Sequence, residues 1–138
     1  MDYQTDIPSG YYRISLKVII RNEKNEVLVN REAGRAEWGL PGGGWDHGET
    51  VVECIKRELF EELGYEGNIT ARQVGVTDVP MWMPTKKGWL LWMVYEVTPD
   101  TLEFEAGHGS DEVKFVDPAI FKDSTKIGEK LIYKFGII

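Results

Sequence analysis

The sequence has little of the residue types that build disulfides, zinc sites and membrane spans. Its 138 residues include one cysteine, Cys54, and two histidines, His47 and His108. A single cysteine cannot form an internal disulfide, and so few ligands argue against a Cys/His zinc site. The longest run of aromatic and aliphatic residues, from Trp89 to Tyr95, is far shorter than the roughly 20 residues of a transmembrane helix. We therefore expect no membrane partner.

Positive charge is also scarce. Sixteen Lys and Arg stand against 23 Asp and Glu, a formal net charge of −7. Proteins that bind duplex nucleic acid need a basic face, so we expect no duplex partner. The same charge would repel a free phosphate group, so a phosphate-handling site would need metal ions in between. The polar, acidic start from Met1 to Gly10 lacks the profile of a signal peptide, which favours a cytoplasmic protein.

The length predicts one domain over residues 1–138. Alternating apolar residues from Tyr12 to Arg21 predict a strand with one buried face, and Glu26 to Arg31 reads as the returning strand of a hairpin. Further strands are predicted at residues 68–79, 89–98 and 113–117. A closing helix is predicted at residues 125–135. Loops are predicted at Pro41 to Gly44 and from Asp100 to Glu112. This pattern is typical of an α+β or mixed α/β domain with a mixed or antiparallel sheet.

A long helix is predicted from Val51 to Leu63. Thr50 with Glu53 three positions later forms a capping-box pattern, and Gly64 can end the helix in the left-handed conformation. Residues three and four apart share a helix face, so three carboxylates converge on one side of this helix. They belong to Glu58, Glu61 and Glu62.

Three carboxylates in one patch repel each other, so something must offset their charge. Arg57 is adjacent and can reach Glu61 or Glu49. A divalent cation is the other natural partner, because Glu carboxylates are hard oxygen ligands suited to Mg²⁺ or Mn²⁺. The glycines that precede the helix, Gly42 to Gly44, lack Cβ atoms and let backbone approach a ligand or metal closely.

The segment from Gly43 to Tyr65 resembles the signature of the Nudix hydrolases, the MutT-like family. Its order is Gly, five residues, Glu, seven residues, then Arg-Glu-Leu-Phe-Glu-Glu-Leu-Gly-Tyr. Every specified position is matched, with Tyr65 in a place more often taken by Leu, Ile or Val. The resemblance implies an α/β/α sandwich, with a mixed β-sheet and helices on both sides. It also implies hydrolysis of a phosphoanhydride in a small nucleotide by in-line water attack, with Mg²⁺ or Mn²⁺ as cofactor.

The resemblance also assigns roles to residues. Glu58, Glu61 and Glu62 occupy the family's metal-ligand positions, and the Gly42 carbonyl matches a backbone ligand. Glu49 and Arg57 take the positions of a salt bridge that orients the motif. The identity of the general base is left open. Glu58 or Glu61 could serve, and so could an acidic residue of a later loop that carries two glycines. The acidic residues of that loop are Glu103, Glu105, Asp111 and Glu112, while His47 and His108 are weaker candidates.

Substrate contacts are harder to assign from sequence. Trp45 lies in the glycine-rich segment with polar neighbours, so we expect it to be exposed near the diphosphate, with Trp82 and Glu112 as further contacts. Trp89 and Trp92 are an odd number of positions apart in one predicted strand and face opposite sides, so at most one should reach the site. Pro80 follows the motif at about the distance typical of ADP-ribose enzymes, whereas the chain's small size resembles enzymes of nucleoside triphosphates.

Two other functions were weighed against the enzyme. A Nudix-fold module that senses a nucleotide or binds a protein without turnover usually loses glutamates of the motif, and all of them are present here. Messenger RNA decapping would favour basic flanking regions, which this acidic chain lacks. We therefore expect a hydrolase of a small nucleotide, such as a nucleoside triphosphate, ADP-ribose or a nucleotide sugar, that acts as a monomer or homodimer.

Overall fold

The computed structural model describes residues 12–78, 80–84, 87–107 and 109–137. The predicted strand end at Val79 and the candidate base His108 lie outside these residues. The strands are, in chain order, β1 Tyr12–Ile19, β2 Val27–Glu32, β3 Gly42–Gly44, β4 Ile69–Val76, β5 Met81–Met83, β6 Gly88–Pro99 and β7 Ser110–Val116. The helices are α1 Val51–Leu63, a 3-10 helix Pro118–Phe121 and α2 Ile127–Gly136.

The larger sheet is mixed, as predicted. Its strand order is β3-β1-β6-β4, and β5 also pairs with β6. The central pair β1 and β6 is parallel, while β3, β4 and β5 join antiparallel. A second sheet consists of β2 and β7, paired antiparallel.

Helices cover both faces of the larger sheet, which confirms the expected sandwich. On one face Leu16 and Val18 of β1 pack in a core cluster with Leu59 of α1. On the other, Ile19 packs in a second cluster with Ile132 of α2. The last five residues of β1 are therefore all buried. The expectation of one buried face was incomplete, because a central strand between two helical layers has no solvent face.

The predicted hairpin was wrong in its pairing. The chain does turn after β1, and the Leu28 amide donates to the Ile20 carbonyl at 2.9 Å. Beyond that contact β2 pairs with β7, where Val29 lies opposite Lys114. The reason is that both edges of β1 are already occupied, by β3 and by β6.

The helix predicted from Val51 to Leu63 is confirmed at both ends. Thr50 and Glu53 form the reciprocal capping box, and Gly64 ends the helix with φ +67°. Less local features were missed. The strands β3 and β5 were not predicted, and β7 begins at Ser110, inside the predicted loop. None of the helices in the described ranges is long and apolar enough to cross a membrane.

Candidate active site

The three consecutive glycines form strand β3 rather than the predicted loop. Gly42, Gly43 and Gly44 pair antiparallel with Lys17, Leu16 and Ser15. Gly42 has φ +128°, and a Cβ there would collide with the carbonyl oxygen of Leu16. A Cβ on Gly43 would lie 2.5 Å from Oε1 of Glu58. The glycines therefore bring the backbone of β3 against both β1 and the carboxylates of α1, which no other residue allows.

Glu62 is the carboxylate most firmly held by the protein. It is buried on α1, and its Oε2 accepts hydrogen bonds from the Gly42 amide and from Nδ2 of Asn30, both at 3.1 Å. Nδ2 of Asn30 also donates to Oγ of Ser110 at 2.9 Å. Strands β2, β3 and β7 thus converge on one side chain of α1.

Burial raises the pKa of Glu62 to about 8, and the neighbouring carboxylate of Glu58 adds to the rise. The positive charge of Lys17 and the hydrogen bond from the Gly42 amide act in the opposite direction. Two buried carboxyl groups side by side favour the charged form only when a cation neutralises them. The site therefore has the electrostatic character of a cation-binding site.

Arg57 ties the start of α1 to the chain that precedes it. Its Nε donates to Oε2 of Glu49 at 2.7 Å and its Nη2 to Oε1 at 2.9 Å, a bidentate pair. The hydrogen bonds from Arg57 lower the pKa of Glu49 to about 2. Arg57 also donates to the Gly44 carbonyl and to Oε1 of Glu58, both at 3.0 Å. One guanidinium therefore links the pair expected from sequence to β3 and to the first carboxylate of the cluster.

The atoms available to ligate a metal fit a hard divalent ion. They are all oxygen atoms: the carboxylates of Glu58, Glu61 and Glu62 and the Gly42 carbonyl. Glu61 is exposed, with its Oε2 3.5 Å from Nη1 of Arg57. Among the described residues, no three Asp, Glu, His or Cys side chains already have the spacing of a metal site. Exposed Glu61 would have to turn toward its two buried neighbours.

A cleft of about 660 Å³ opens beside β3. Its lining includes Gly42 to Gly44, the buried polar side chains of Lys17 and Asn30, and several tryptophans. Trp82 and Trp89 face each other across β5 and β6, with ring centroids 5.2 Å apart and ring planes at 63°. The tryptophans that line the cleft are Trp38, Trp82, Trp89 and Trp92.

Of the three substrate contacts expected from sequence, one lines the cleft and two do not. Trp82 is half-exposed and lines the cleft. Trp45 does not; it packs against the core beneath α1 and donates from Nε1 to the Glu49 carbonyl at 2.9 Å. Glu112 lies on β7, 3.8 Å from Arg31, and is also absent from the cleft wall. Trp89 and Trp92 belong to opposite faces of β6, yet both line the cleft, contrary to the expectation that at most one would.

The loop that carries the other candidate bases lies against the end of α1. The amides of Gly107 and Gly109 donate to the carbonyls of Glu62 at 3.0 Å and Glu61 at 3.3 Å. A Cβ on Gly107 would lie 2.8 Å from the Glu61 carbonyl oxygen, so this glycine provides close approach. Asp111 is held by the Gly34 amide at 3.0 Å. The other two candidate bases of this loop, Glu103 and Glu105, have exposed side chains.

Two site residues were missed at the sequence level. Lys17 and Asn30 are buried polar residues that directly follow buried aliphatic residues in their strands. A polar side chain beside a buried aliphatic run is the signal that could have found them.

Comparison with known proteins decides the family. A family model of the NUDIX domain matches residues 11–135. The chain belongs to the Nudix family. Solved structures with the same fold include the MutT protein from Methanosarcina mazei Go1, with TM-score 0.74, 20% identity, and coverage of 94% of this chain and 96% of that one. A MutT NUDIX hydrolase from Burkholderia pseudomallei has TM-score 0.69 and 20% identity, with coverage of 90% and 97%.

Curated relatives resemble this Nudix protein over a shorter segment. An RNA pyrophosphohydrolase from Ruthia magnifica is 40% identical over 58 residues, 42% of this chain and 32% of the relative. An RNA pyrophosphohydrolase from Shewanella frigidimarina is 41% identical over 58 residues, 42% of this chain and 34% of that relative. The matched segment is thus about a third of the length of these relatives.

Proposed function

We propose that this Nudix protein is a metal-dependent pyrophosphohydrolase that cleaves a phosphoanhydride bond of a small nucleotide. The observation that carries the proposal is the pair of buried carboxylates, Glu58 and Glu62, packed against a glycine strand whose backbone lines a cleft of about 660 Å³. A buried, mutually repelling pair is costly without a cation. A nucleoside polyphosphate brings its phosphates to such a cation and its base to an aromatic wall.

Glu58, Glu61, Glu62 and the Gly42 carbonyl would hold Mg²⁺ or Mn²⁺. The bound ion would neutralise the diphosphate and lower the pKa of a water molecule so that it attacks phosphorus in line. Asn30 and the Gly42 amide orient Glu62, and Arg57 orients Glu58. Glu61 is the most exposed of the three carboxylates, so we assign it to accept the proton of the attacking water.

The tryptophan wall supports a substrate with a base or another flat group. Trp82 and Trp89 are half-exposed and line the same cleft as the glycine strand. Stacking on an aromatic ring contributes about 1–3 kcal/mol per base. Nucleoside triphosphates and nucleoside diphosphates linked to another group, such as ADP-ribose or a nucleotide sugar, have this combination of parts.

The names of the curated relatives favour a second candidate, the 5′ end of RNA. RNA carries phosphoanhydride bonds only at a 5′ polyphosphate, so that end would be the substrate. The net charge of −7 opposes a long polyanion, which is why we rank free nucleotides first. The non-catalytic sensing module is ranked last, because every carboxylate expected to hold the metal is present.

The test is a hydrolysis screen on nucleoside triphosphates, ADP-ribose, nucleotide sugars and a short 5′-triphosphorylated RNA. Each substrate is tested with Mg²⁺, with Mn²⁺ and with a chelator. We expect cleavage of one class of free nucleotide that stops with the chelator. Cleavage of the RNA alone would establish the second candidate. Binding of a nucleotide without turnover in any metal would contradict the enzyme and favour the sensing module.

A further inference from the structure

Lys17 places a positive charge in the interior, beside the cleft. Its residue is 8% exposed, and it is the only buried lysine or arginine among the residues that the structure describes. It lies in the middle of β1, directly opposite Gly42 of β3. The side chain lines the cleft with that glycine. A lysine in this position needs a physical reason, since lysines are almost never fully buried without a partner.

The ammonium group of Lys17 is close enough to Glu62 to interact with its charge, but it has few hydrogen-bond acceptors among the described residues. Its Nζ donates to the Gly42 carbonyl at 3.1 Å and lies 4.9 Å from the ring centroid of Trp92. Within the described part of the chain, no carboxylate oxygen lies within 4.0 Å of it. An ammonium group has three donors, so two have no acceptor on the described residues.

The surroundings of Lys17 form a polar track along the cleft. Side chains alternate along a strand, so Arg13, Ser15 and Lys17 share one face of β1, and all three line the cleft. Arg13 is exposed and lies over Gly44, whereas Lys17 is buried next to Gly42. Gly42 links this face to the glutamates, because its carbonyl accepts from Lys17 and its amide donates to Glu62.

We propose that Lys17 binds a non-bridging oxygen of the substrate's phosphate chain. This proposal rests on the proposed function. An anionic oxygen would satisfy the two free donors and offset the cost of the buried charge. Because Lys17 contacts the Gly42 carbonyl and the Gly42 amide contacts Glu62, a phosphate on Lys17 would lie beside a metal ion held by the glutamates. A diphosphate could then contact both Lys17 and the ion, whereas a monophosphate would make one of the two contacts.

The test measures anion binding directly, with a probe that cannot be hydrolysed. Methylenediphosphonate is titrated calorimetrically into the protein at saturating Mg²⁺, for wild type, Lys17→Met and Lys122→Met. Lys122 is an exposed lysine beside the 3-10 helix and serves as the matched control. Loss of a hydrogen bond to a charged group weakens binding roughly tenfold to a hundredfold. We expect that loss for Lys17→Met and unchanged binding for Lys122→Met.

A second titration, with Mg²⁺ alone, separates phosphate binding from a structural role. If Lys17 only held the Gly42 carbonyl in place, Lys17→Met would lose Mg²⁺ affinity and phosphonate affinity together. We expect Mg²⁺ affinity to be unchanged or higher, because a positive charge next to the cluster has been removed. Parallel loss of both affinities, or equal phosphonate binding in wild type and Lys17→Met, would overturn the proposal. If Lys17→Met does not fold, Lys17→Gln provides the same comparison with a donor kept for Gly42.

The result also separates this proposal from the proposed function. A wild-type protein that binds methylenediphosphonate through Lys17 but hydrolyses nothing in the screen would contradict the enzyme and leave Lys17 as a phosphate ligand. Hydrolysis in the screen with no effect of Lys17→Met on phosphonate binding would contradict Lys17 alone. Failure of the wild-type protein to bind the phosphonate at saturating Mg²⁺ would overturn the proposal as well.

Discussion

Single side chains at this site act through a few short contacts. Glu49 and Arg57 form a bidentate pair just before and within α1, and the pair reaches β3 through the Gly44 carbonyl. Glu62 is held by an amide of β3 and by Asn30 of β2. Two of the proposed metal ligands, Glu58 and Glu62, are therefore oriented before any ion arrives, whereas exposed Glu61 would have to turn toward them.

The Glu49 pair predicts a pH-dependent contribution to stability. Arg57 lowers the pKa of Glu49 from an ordinary 4.5 to about 2 in the folded protein. A lowered carboxyl pKa stabilises the fold fully above the unfolded pKa, and that contribution is lost as the pH falls through the folded pKa. We expect Glu49→Gln to lower the urea midpoint at pH 7, with the difference from wild type shrinking between pH 4.5 and pH 2. A difference that stays constant over that range would contradict the ion pair.

A second prediction concerns the carboxylate held by Asn30. Glu62→Gln removes a proposed ligand, so Mn²⁺ affinity and turnover should both fall by more than the roughly 10–100-fold typical of outer-shell changes. For Asn30→Ala, which removes a partner of Glu62, the losses of Mn²⁺ affinity and turnover should lie within that range. Glu66→Gln, an exposed change just after α1, is the control and should alter neither quantity. Mn²⁺ titration and initial rates measure both effects. Normal affinity and rate in Glu62→Gln would remove it from the site.

At the scale of secondary structure, a three-residue strand of glycines joins the two halves of the site. Strand β3 occupies the outer edge of β1 and faces the carboxylates of α1. Its short length and lack of side chains allow it to pair at the edge of the sheet while lying close to the helix. Local propensity disfavours glycine in strands, so backbone pairing with β1 and close packing must supply its stability.

This arrangement predicts that Gly42→Ala is severely destabilising. The positive φ and the collision with the Leu16 carbonyl should cost about 2–4 kcal/mol of unfolding free energy. Gly39→Ala is the matched control, because a Cβ there meets nothing within 4 Å and its φ is ordinary. Urea unfolding of both variants tests the difference. Equal stability of the two would show that β3 does not depend on close contact with β1.

At the scale of the whole molecule, the cleft is assembled from parts that are distant in sequence. The glycine strand, the tip of β5 and β6, the chain around Trp38 and the start of α2 all line it. Its wall combines the buried polar side chains of Lys17 and Asn30 with four tryptophans. Such a lining matches a ligand that has both a charged part and a flat part.

The cleft predicts opposite effects for two tryptophans. Trp82→Ala should raise KM by roughly fivefold to a hundredfold with little change in kcat, because a stacked base contributes about 1–3 kcal/mol. Trp45→Ala should leave KM unchanged and lower the unfolding free energy by about 1–3 kcal/mol, because Trp45 packs against the core. Steady-state kinetics and urea unfolding distinguish them. A raised KM in Trp45→Ala would return that residue to the site.

Much of this protein is determined by local sequence. The helix from Val51 to Leu63 could be predicted to the residue, because its capping box and its left-handed glycine act over three or four positions. The convergence of Glu58, Glu61 and Glu62 on one side follows from helical periodicity alone. The spacing of the motif was sufficient to predict the family, and the match of the family model over residues 11–135 confirms that prediction.

Tertiary structure alone decided the partners of the strands and the composition of the cleft. Strand β2 turns away from β1 because both edges of β1 are taken, a fact that depends on β3 and β6 and not on β2. The glycines become a strand, and Lys17 becomes a buried cation, only when β3 lies against β1. Such features depend on long-range pairing, in which the energy of one segment is set by residues far along the chain, and local patterns do not specify the pairing partners.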